Sequence, residues 1–308
     1  MKTMLRYVHF LSNFIRWLPL IVEQKRKQQT LGRTPEPAAV MQEDESVLQY
    51  DKAASTSLFI SYACALEIIY KCVGRVHGEA IDLACGTGNF SLAALTYLKP
   101  KKMTGIDLSQ TMLDQAKENG RRLGAEQHIE LLQANVLELD ELPDNKWMLA
   151  TFTGTAHHLD RLQQVEDVLR TMERITMDDG LVFLMDLVRL KEEGLTNRFV
   201  ETIGRDFHKQ GIGVFFDDFR HSMFAAWTEE ELRLAIPKES RRTWIHLRPK
   251  GLPVLQILLG LPIGQDQAFR NTGVPWSKAD NPIPKEVFGE WLLARTSLVR
   301  GDQTVIAF

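Results

Sequence analysis

The sequence predicts an α/β protein built on a doubly wound, mostly parallel sheet, and three observations support this prediction. A short apolar run at 80–83 breaks at a turn that contains Gly86 and Gly88, and a helical apolar pattern follows. A second apolar run at 103–106 ends on Asp107, so the two runs and the helix between them form a βαβ unit. Apolar runs and helical patterns then alternate through the middle of the chain, as parallel strands joined by helices require.

The turn of this βαβ unit is suited to a cofactor that contains a nucleoside. Gly86 and Gly88 lack a Cβ, so a charged group can approach the free N–H groups at the start of the next helix. Asp107 follows Gly88 by 19 positions, close to the ~20-residue offset at which an acid binds ribose hydroxyls. A dinucleotide motif would have Gly or Ala at the position of Ser91, so the turn by itself leaves two classes of cofactor open.

The segment from Asp82 to Gly88, Asp-Leu-Ala-Cys-Gly-Thr-Gly, resembles the glycine-rich motif of class I S-adenosylmethionine (SAM)-dependent methyltransferases, with Ala84 in place of the first glycine. The resemblance implies a Rossmann-like, doubly wound, seven-stranded sheet with an antiparallel last strand, and SAM as the cofactor. Asp82 would then support the turn, the glycines would lie under the methionine part of SAM, and Asp107 would bind the ribose hydroxyls. The cofactor-binding residues implied are Tyr50, Asp82, Ala84, Gly86, Gly88, Asp107, Leu108, Asn135, Val136, Thr151 and Phe152.

Two segments outside the glycine turn extend the resemblance. The segment Tyr-Asp-Lys-Ala-Ala that starts at Tyr50 is similar to a lid segment of small-molecule methyltransferases, in which Tyr50 would close over the methionine end of SAM. A tyrosine that packs on the sheet is the alternative. Asn135 ends the third predicted strand, where relatives often carry an Asp that accepts from the adenine amino group. Its amide oxygen could accept as well, but Asn is also a common turn residue.

The loop after the fourth predicted strand supplies candidates for catalysis. Residues 153–160, Thr-Gly-Thr-Ala-His-His-Leu-Asp, are similar to the loop beside the transferred methyl group in this family, and a carbonyl near Thr151 or Phe152 is expected to face the SAM amino group. Methyl transfer is an in-line displacement that depends mainly on positioning, and a base helps only with a hydroxyl or amine acceptor. The candidates are His157, His158, Asp186, His208 and His221. Either histidine of the loop could instead stabilise it.

The chain is predicted to have two parts. Residues 1–45 hold an amphipathic helix, 7–22, followed by a proline-bearing linker. The helix is expected to pack on the domain or across a homodimer, with an interfacial membrane helix as the alternative, and it is too short to span a membrane. Residues 46–308 are expected to form the methyltransferase domain, with a substrate cap at 190–226 and a late insertion at 248–303.

The last two predicted strands, 241–247 and 304–308, are expected to pair antiparallel at the edge of the sheet. The sequence between them is far longer than a hairpin turn. It holds an apolar run at 252–261, a stretch with prolines and glycines, and a predicted helix at 285–293, so we interpret the insertion as an extra subdomain.

The composition narrows the range of functions that the sequence allows. With a formal net charge of −3, the 308-residue chain has no overall basic field, so we expect a small-molecule acceptor and no nucleic acid. The three cysteines have neither metal-ligand nor disulfide spacing, which predicts no metal site and a cytoplasmic location. Aromatic residues of the cap favour an apolar or aromatic acceptor, methylated on O, N or a carboxylate. The alternatives are a SAM-binding partner protein without catalysis and a protein methyltransferase.

Overall fold

Helices and strands alternate over most of the chain in the computed structural model, which describes residues 15–37, 44–205, 207–249, 254–265 and 302–306. Helical residues 15–26 are labelled α1. The other helices are α2 (Asp44–Ala54), α3 (Phe59–Val73), α4 (Asn89–Tyr97), α5 (Gln110–Arg122), α6 (Leu162–Ile175), α7 (Glu193–Gly204), α8 (Phe207–Gln210), α9 (Gly213–Ala225) and α10 (Glu229–Leu234). The strands are β1 (Glu79–Leu83), β2 (Lys102–Asp107), β3 (Ile129–Gln133), β4 (Trp147–Thr153), β5 (Thr176–Leu187), β6 (Arg242–Arg248), β7 (Leu255–Pro262) and β8 (Asp302–Ile306).

The strands form one sheet in the order β3-β2-β1-β4-β5-β7-β6-β8. The first five strands of this order pair in parallel, whereas β7 is antiparallel to both β5 and β6. The predicted doubly wound, Rossmann-like sheet is therefore confirmed: the chain starts at β1 in the middle, moves out to β3, and returns through β4 to the other half. The carboxyl ends of the parallel strands lie at one edge, to which Asp107 and Asp186 belong.

The predicted late insertion needs a correction, because it contains a strand of the sheet. β7 lies inside the range 248–303, pairs with both β5 and β6, and is buried along its whole length. A strand covered on both faces has an unbroken apolar sequence without alternation, which is why this run was not recognised as a strand. The predicted edge strand is found at 302–306, antiparallel to β6, so the described residues form eight strands rather than seven. The predicted helix at 285–293 lies outside the described residues.

Two hydrophobic cores cover the faces of the sheet. Successive side chains of a strand point to opposite faces, so Phe183 and Met185 join one core while Val182 and Leu184 join the other. The first core contains α3, α4 and the cap helices, and the second contains α6 and α10. Local capping fixes the starts of two helices: the Ser109 side chain accepts from the N–H of Met112 at the start of α5, and Thr228 and Glu231 form a capping box at α10.

Helices α7, α8 and α9 lie in the range 190–226 that was predicted as a substrate cap, and this range is called the cap below. Within it, aromatic rings pack on one another, with 5.5 Å between the ring centroids of Phe207 and Phe215 and 6.4 Å between those of Phe215 and Phe219. All three side chains are buried, so they supply the cap's own core. Tyr50 on α2 meets the ring of Phe215 edge-on at 6.1 Å, which joins α2 to the cap.

Residues 28–37, the first part of the predicted linker, lie along the cap and are called the strap below. The N–H of Thr30 donates to the carbonyl of Lys191 at 2.8 Å, and the N–H of Thr34 donates to that of Phe224 at 3.1 Å. The linker prediction is wrong for this stretch. Its prolines and glycine correctly indicated the absence of a helix or strand, but composition carries no information about distant partners of the main chain.

α1 packs one side on the domain and exposes the other. Leu20 is buried, whereas Ile15, Leu18 and Val22 are exposed. Residues 7–14 of the predicted helix lie outside the described part of the chain, and a homodimer through this helix stays a prediction. Among the described residues, no single helix has both the length and the apolar character of a membrane span, and only α2 and α3 taken together, with a 55° bend between them, meet these criteria.

Candidate active site

The turn between β1 and α4 has the left-handed backbone that its glycines allow. The φ angles are +53° at Gly86 and +73° at Gly88, and Ala84 takes φ +53° despite its Cβ. A Cβ at Gly86 would lie 3.5 Å from Cε1 of Tyr50, and one at Gly88 would lie 3.0 Å from the Cβ of Ala116. The turn is therefore closely covered by α2 on one side and by α5 on the other.

Asp107 lies at the carboxyl end of β2, beside this turn. Its Oδ2 accepts from the N–H of Gly86 at 2.8 Å, and its Oδ1 accepts from the N–H of Ser109 at 2.9 Å. Burial raises the pKa of Asp107, and the main-chain hydrogen bonds oppose that effect. Each carboxylate oxygen has a second lone pair, so Asp107 can still accept from two ribose hydroxyls. This geometry fits the role that the resemblance implies.

Asp82 lies deeper, below the turn. Its two oxygens accept from the hydroxyls of Ser91 at 2.5 Å and Thr151 at 2.7 Å, and burial raises its pKa to about 6. Asp82 thereby connects β1 to α4 and to β4, which agrees with the predicted support of the turn. Thr151 and Phe152 have buried side chains and lie in the middle of the sheet, paired with β1 on one side and β5 on the other.

Three further predicted cofactor-binding residues, Leu108, Asn135 and Val136, follow the carboxyl ends of β2 and β3. Leu108 is exposed and offers an apolar surface, and Val136 is half-buried. The amide oxygen of Asn135 accepts from the N–H of Leu137 at 3.1 Å, and its amide nitrogen donates to Glu138 at 3.1 Å. Asn135 therefore acts as a turn residue, the alternative that the sequence left open, and contact with adenine would require it to exchange these bonds.

Asp51, which the sequence analysis did not single out, holds α2 against the glycine turn. Its Oδ1 accepts from the side-chain amides of Asn89 and Asn119, both at 2.7 Å. The amide of Asn119 also donates to the carbonyl of Thr87 at 2.9 Å. The neighbouring Tyr50 consequently lies over Gly86, with its hydroxyl 3.4 Å from that of Tyr62. The Asp of the Tyr-Asp motif was the available signal for this contact.

The two histidines of the loop after β4 meet a carboxylate from the strap. Nδ1 of His157 lies 2.6 Å from Oδ1 of Asp186, and its Nε2 lies 3.7 Å from Oε1 of Glu36. Nδ1 of His158 lies 2.5 Å from Oε2 of Glu36. The Ser222 hydroxyl on α9 donates to Oε1 of Glu36 at 2.6 Å. We call Glu36, His157 and His158 the histidine cluster.

Opposite charges on the histidine cluster and on Asp186 attract one another. Burial by itself would raise the pKa of Glu36, but the hydrogen bond and charge of His158 and the charge of His157 outweigh it and lower that pKa to about 2. Burial likewise opposes protonation of His157, but the nearby Asp186 carboxylate outweighs it and raises the pKa of the imidazole. The half-buried Glu36 carboxylate and the buried His157 imidazole therefore each favour the charged form of the other.

Arg33, also in the strap, fastens the strap to this loop and to the cap. Its guanidinium carbon lies 3.9 Å from the ring centroid of Trp227. Its donors reach four main-chain carbonyls, those of Ala225 at 2.7 Å, Asp160 at 3.0 Å, His157 at 2.8 Å and Leu159 at 2.7 Å. Neither Arg33 nor Glu36 has a local sequence signal, because their partners are more than 100 positions away.

The structure brings together three of the five catalytic candidates, His157, His158 and Asp186. His208 and His221 are exposed on α8 and α9. His221 acts electrostatically on the half-buried Asp218, which in turn responds to Glu36 and His158, but the ring itself is not part of the histidine cluster.

Comparison with known proteins agrees with this geometry. Residues 80–180, from β1 into β5, match the family model described as a methyltransferase domain. An uncharacterized methyltransferase of Schizosaccharomyces pombe is 31% identical over 116 residues, which cover 35% of this chain and 38% of the relative. A demethylmenaquinone methyltransferase of Desulfitobacterium hafniense is 28% identical over 148 residues, 48% of this chain and 52% of the relative. The chain thus spans about half, or less, of the curated relatives it matches.

The solved structures agree on the fold. A protein of Methanococcus maripaludis, described as a SAM-dependent methyltransferase, has a TM-score of 0.53 and 16% identity, and the match covers 72% of this chain and 95% of that one. Residues 80–180 thus resemble a methyltransferase domain, and the solved structure has the same fold as this chain.

Proposed function

We propose that this protein transfers a methyl group from SAM to a small apolar or aromatic acceptor. One observation carries the proposal: Asp107, with the N–H groups of the glycine turn, lies at the same edge of the sheet as the loop that holds His157 and His158. The charge of His158 acts on Asp107, so the two parts are close in space. Ligands of open α/β sheets bind at this edge, beyond the strand ends.

The acceptor is expected between the loop after β4, the cap, and Tyr50. Tyr50 covers Gly86, so it stands between the glycine turn and the cap aromatics. The strap closes the opposite side, because Arg33 binds the loop and the cap at once. An enclosed site of this kind excludes water, which keeps the reacting groups in contact and prevents hydrolysis.

Two features support an apolar acceptor. The cap is rich in aromatic side chains, and the described cap faces Tyr50 with the edge of Phe215. In addition, several curated relatives are named as demethylmenaquinone methyltransferases, and another, from Trichormus variabilis, as a 2-phytyl-1,4-naphtoquinone methyltransferase. We extend this class, a ring with an apolar substituent, to the present chain.

The residues divide the work as follows. When bound, SAM supplies an electrophilic methyl group on its sulfonium. Asp107 and the glycine turn hold and orient the nucleoside end, and Tyr50 covers the methionine end. His158 meets Glu36 through Nδ1, so its other ring nitrogen can take a proton from a hydroxyl acceptor, whereas the buried His157 is paired with Asp186 and positions the loop.

The test has two stages with purified full-length protein. Calorimetric titration with S-adenosylhomocysteine, and with NAD as the control, should show binding of the first only. Release of S-adenosylhomocysteine from SAM is then measured with apolar hydroquinones and naphthols, and with sugars and nucleosides as the matched polar set. Turnover with the polar set alone, or with proteins alone, contradicts the proposed acceptor. Binding without any turnover favours a partner protein that binds SAM.

A further inference from the structure

We infer that Glu36, His157 and His158 form a binding site for a divalent transition-metal ion. One ligand atom from each of these residues lies within 4.8 Å of the others. Two imidazoles and one carboxylate are a donor set that Zn²⁺, Fe²⁺ and related ions favour over Mg²⁺ and Ca²⁺, which prefer oxygen ligands. This inference goes beyond the proposed function and does not depend on it.

The distances suit such an ion. With bonds of about 2.0–2.2 Å to nitrogen and oxygen, ligand atoms of a tetrahedral Zn²⁺ site lie about 3.3 Å apart. Nε2 of His157 and Oε1 of Glu36 are 3.7 Å apart. Nδ1 of His158 and Oε2 of Glu36 are closer, at 2.5 Å, as expected when a proton rather than a metal joins them. A small rotation of the half-buried His158 ring separates these two atoms enough for an ion.

Side chains behind the ligands have the arrangement that metal sites require. A histidine that binds a metal through one ring nitrogen usually donates a hydrogen bond from the other to a carboxylate. In His157, Nδ1 lies 2.6 Å from Asp186, while Nε2 is directed toward Glu36. The carboxylate of Glu36 is itself held by the hydroxyl of Ser222. These partners fix both side chains before any ion binds, which lowers the entropic cost of binding.

The charge around the cluster also favours a cation. Asp218 on α9 acts electrostatically on Glu36 and His158, and its Oδ2 is buried without a hydrogen-bond partner among the described residues. With Asp186 and Glu36, this makes three carboxylates around two imidazoles. Arg33 supplies one opposing positive charge nearby. A divalent ion bound to neutral imidazoles would balance the two negative charges that remain.

The site joins three separate parts of the chain. Glu36 belongs to the strap, the histidines to the loop after β4, and Asp186 to β5. An ion at this place would lock the strap over the proposed acceptor site. Three protein ligands leave at least one coordination position for water or for an oxygen atom of the acceptor.

The experiment uses full-length protein treated with EDTA and dialysed, and it needs no SAM. Titration with Zn²⁺ is followed by calorimetry, and titration with Co²⁺ by its visible absorption. We expect one tight equivalent in the wild type. His158→Gln should weaken it on the order of 100-fold, and Asp186→Asn, which alters only the orienting partner, by about 10–100-fold. His208→Gln, at an exposed histidine of the cap, is the matched control and should bind like the wild type.

Three results overturn the inference: no stoichiometric binding in the wild type, equal affinity in His158→Gln, or a Co²⁺ spectrum with thiolate bands that assign the ion to cysteine. Circular dichroism establishes that each variant is folded. Because His157 is buried, the half-buried His158 is the decisive position.

Discussion

Replacement of Arg33 by alanine tests whether the strap is an integral part of the folded domain. The guanidinium connects the strap with the loop after β4 and with the end of α9, through four carbonyl acceptors and the face of Trp227. Alanine removes all of these contacts and leaves the acceptors to be hydrated or unpaired. Arg33→Ala should therefore release the strap from both neighbours.

The magnitude follows from the contacts. Hydrogen bonds to a charged group contribute about 1.5–3 kcal/mol each when buried, but the contact with Asp160 is exposed and the other three are only partly buried. Water can replace much of each lost bond, so we expect a net loss of about 2–4 kcal/mol in the free energy of unfolding, including about 0.5–1 kcal/mol from the Trp227 contact. Arg33→Lys keeps the charge but cannot reach four carbonyls, and should lose about half as much.

Two measurements check this prediction. Urea unfolding gives the free-energy difference, and limited trypsin digestion reports cleavage at Lys25, Arg26 and Lys27, which precede the strap. Arg16→Ala, at an exposed position of α1, is the control and should change neither. If Arg33→Ala stays within about 0.5 kcal/mol of the wild type and is cleaved no faster, the strap does not contribute to the stability of the domain, and the reasoning is refuted.

Three further changes test the cofactor side. Asp107→Ala should weaken S-adenosylhomocysteine binding by about 1.5–3 kcal/mol, roughly 10–100-fold, as measured by calorimetry. An unchanged Kd in a folded variant would show that the ribose does not bind at Asp107. Gly86→Val should abolish that binding, because the side chain enters the space below Tyr50. Gly124 also has a positive φ, but a Cβ there would meet open space, so the control Gly124→Val should lose stability only. The pKa of Asp82 is about 6 in the folded state and 3.8 in the unfolded state, so the folded state binds this proton more tightly. The free energy of unfolding should therefore fall by about 3 kcal/mol as pH rises from 4 to 6. Relative to the wild type, Asp82→Asn should gain that amount over this interval in urea unfolding, and a constant difference would contradict the assignment.

The part of the fold that the sequence predicted best is the part made by local contacts. The run from β1 to β2 needs only apolar runs, two glycines and an acid, all within 28 residues, and the structure places Asp107 beside Gly86 as expected. The starts of α5 and α10 depend on equally local contacts, because the side chains of Ser109 and Thr228 accept from N–H groups three positions away. Local chemistry of this kind is visible in sequence without knowledge of the rest of the fold.

The incorrect predictions concern features that depend on contacts between distant parts of the sequence. β7 was interpreted as part of an insertion, because a strand buried on both faces lacks the alternation that marks an exposed one. The strap was interpreted as a linker, because its stability comes from Arg33 and Glu36, whose partners are distant in sequence. The metal prediction considered only the spacing of the three cysteines, and a ligand set built from a strap carboxylate and two loop histidines has no spacing that could be recognised.

This difference explains why the reaction class was accessible from sequence and the acceptor was not. The groups proposed to hold the cofactor are main-chain N–H groups and one carboxylate within a single βαβ unit, so one short stretch of sequence is enough to predict them. The proposed acceptor site is bounded by the strap, α2, the loop after β4 and the cap, four segments that meet only after the whole sheet has formed. Its shape and charge depend on how these segments pack, and Glu36 meets the loop histidines in a strap that is held by Arg33, by Ser222 and by main-chain bonds to the cap. Substrate specificity in this chain is therefore a property of tertiary contacts, and variants in the strap should alter the choice of acceptor while they leave S-adenosylhomocysteine binding unchanged.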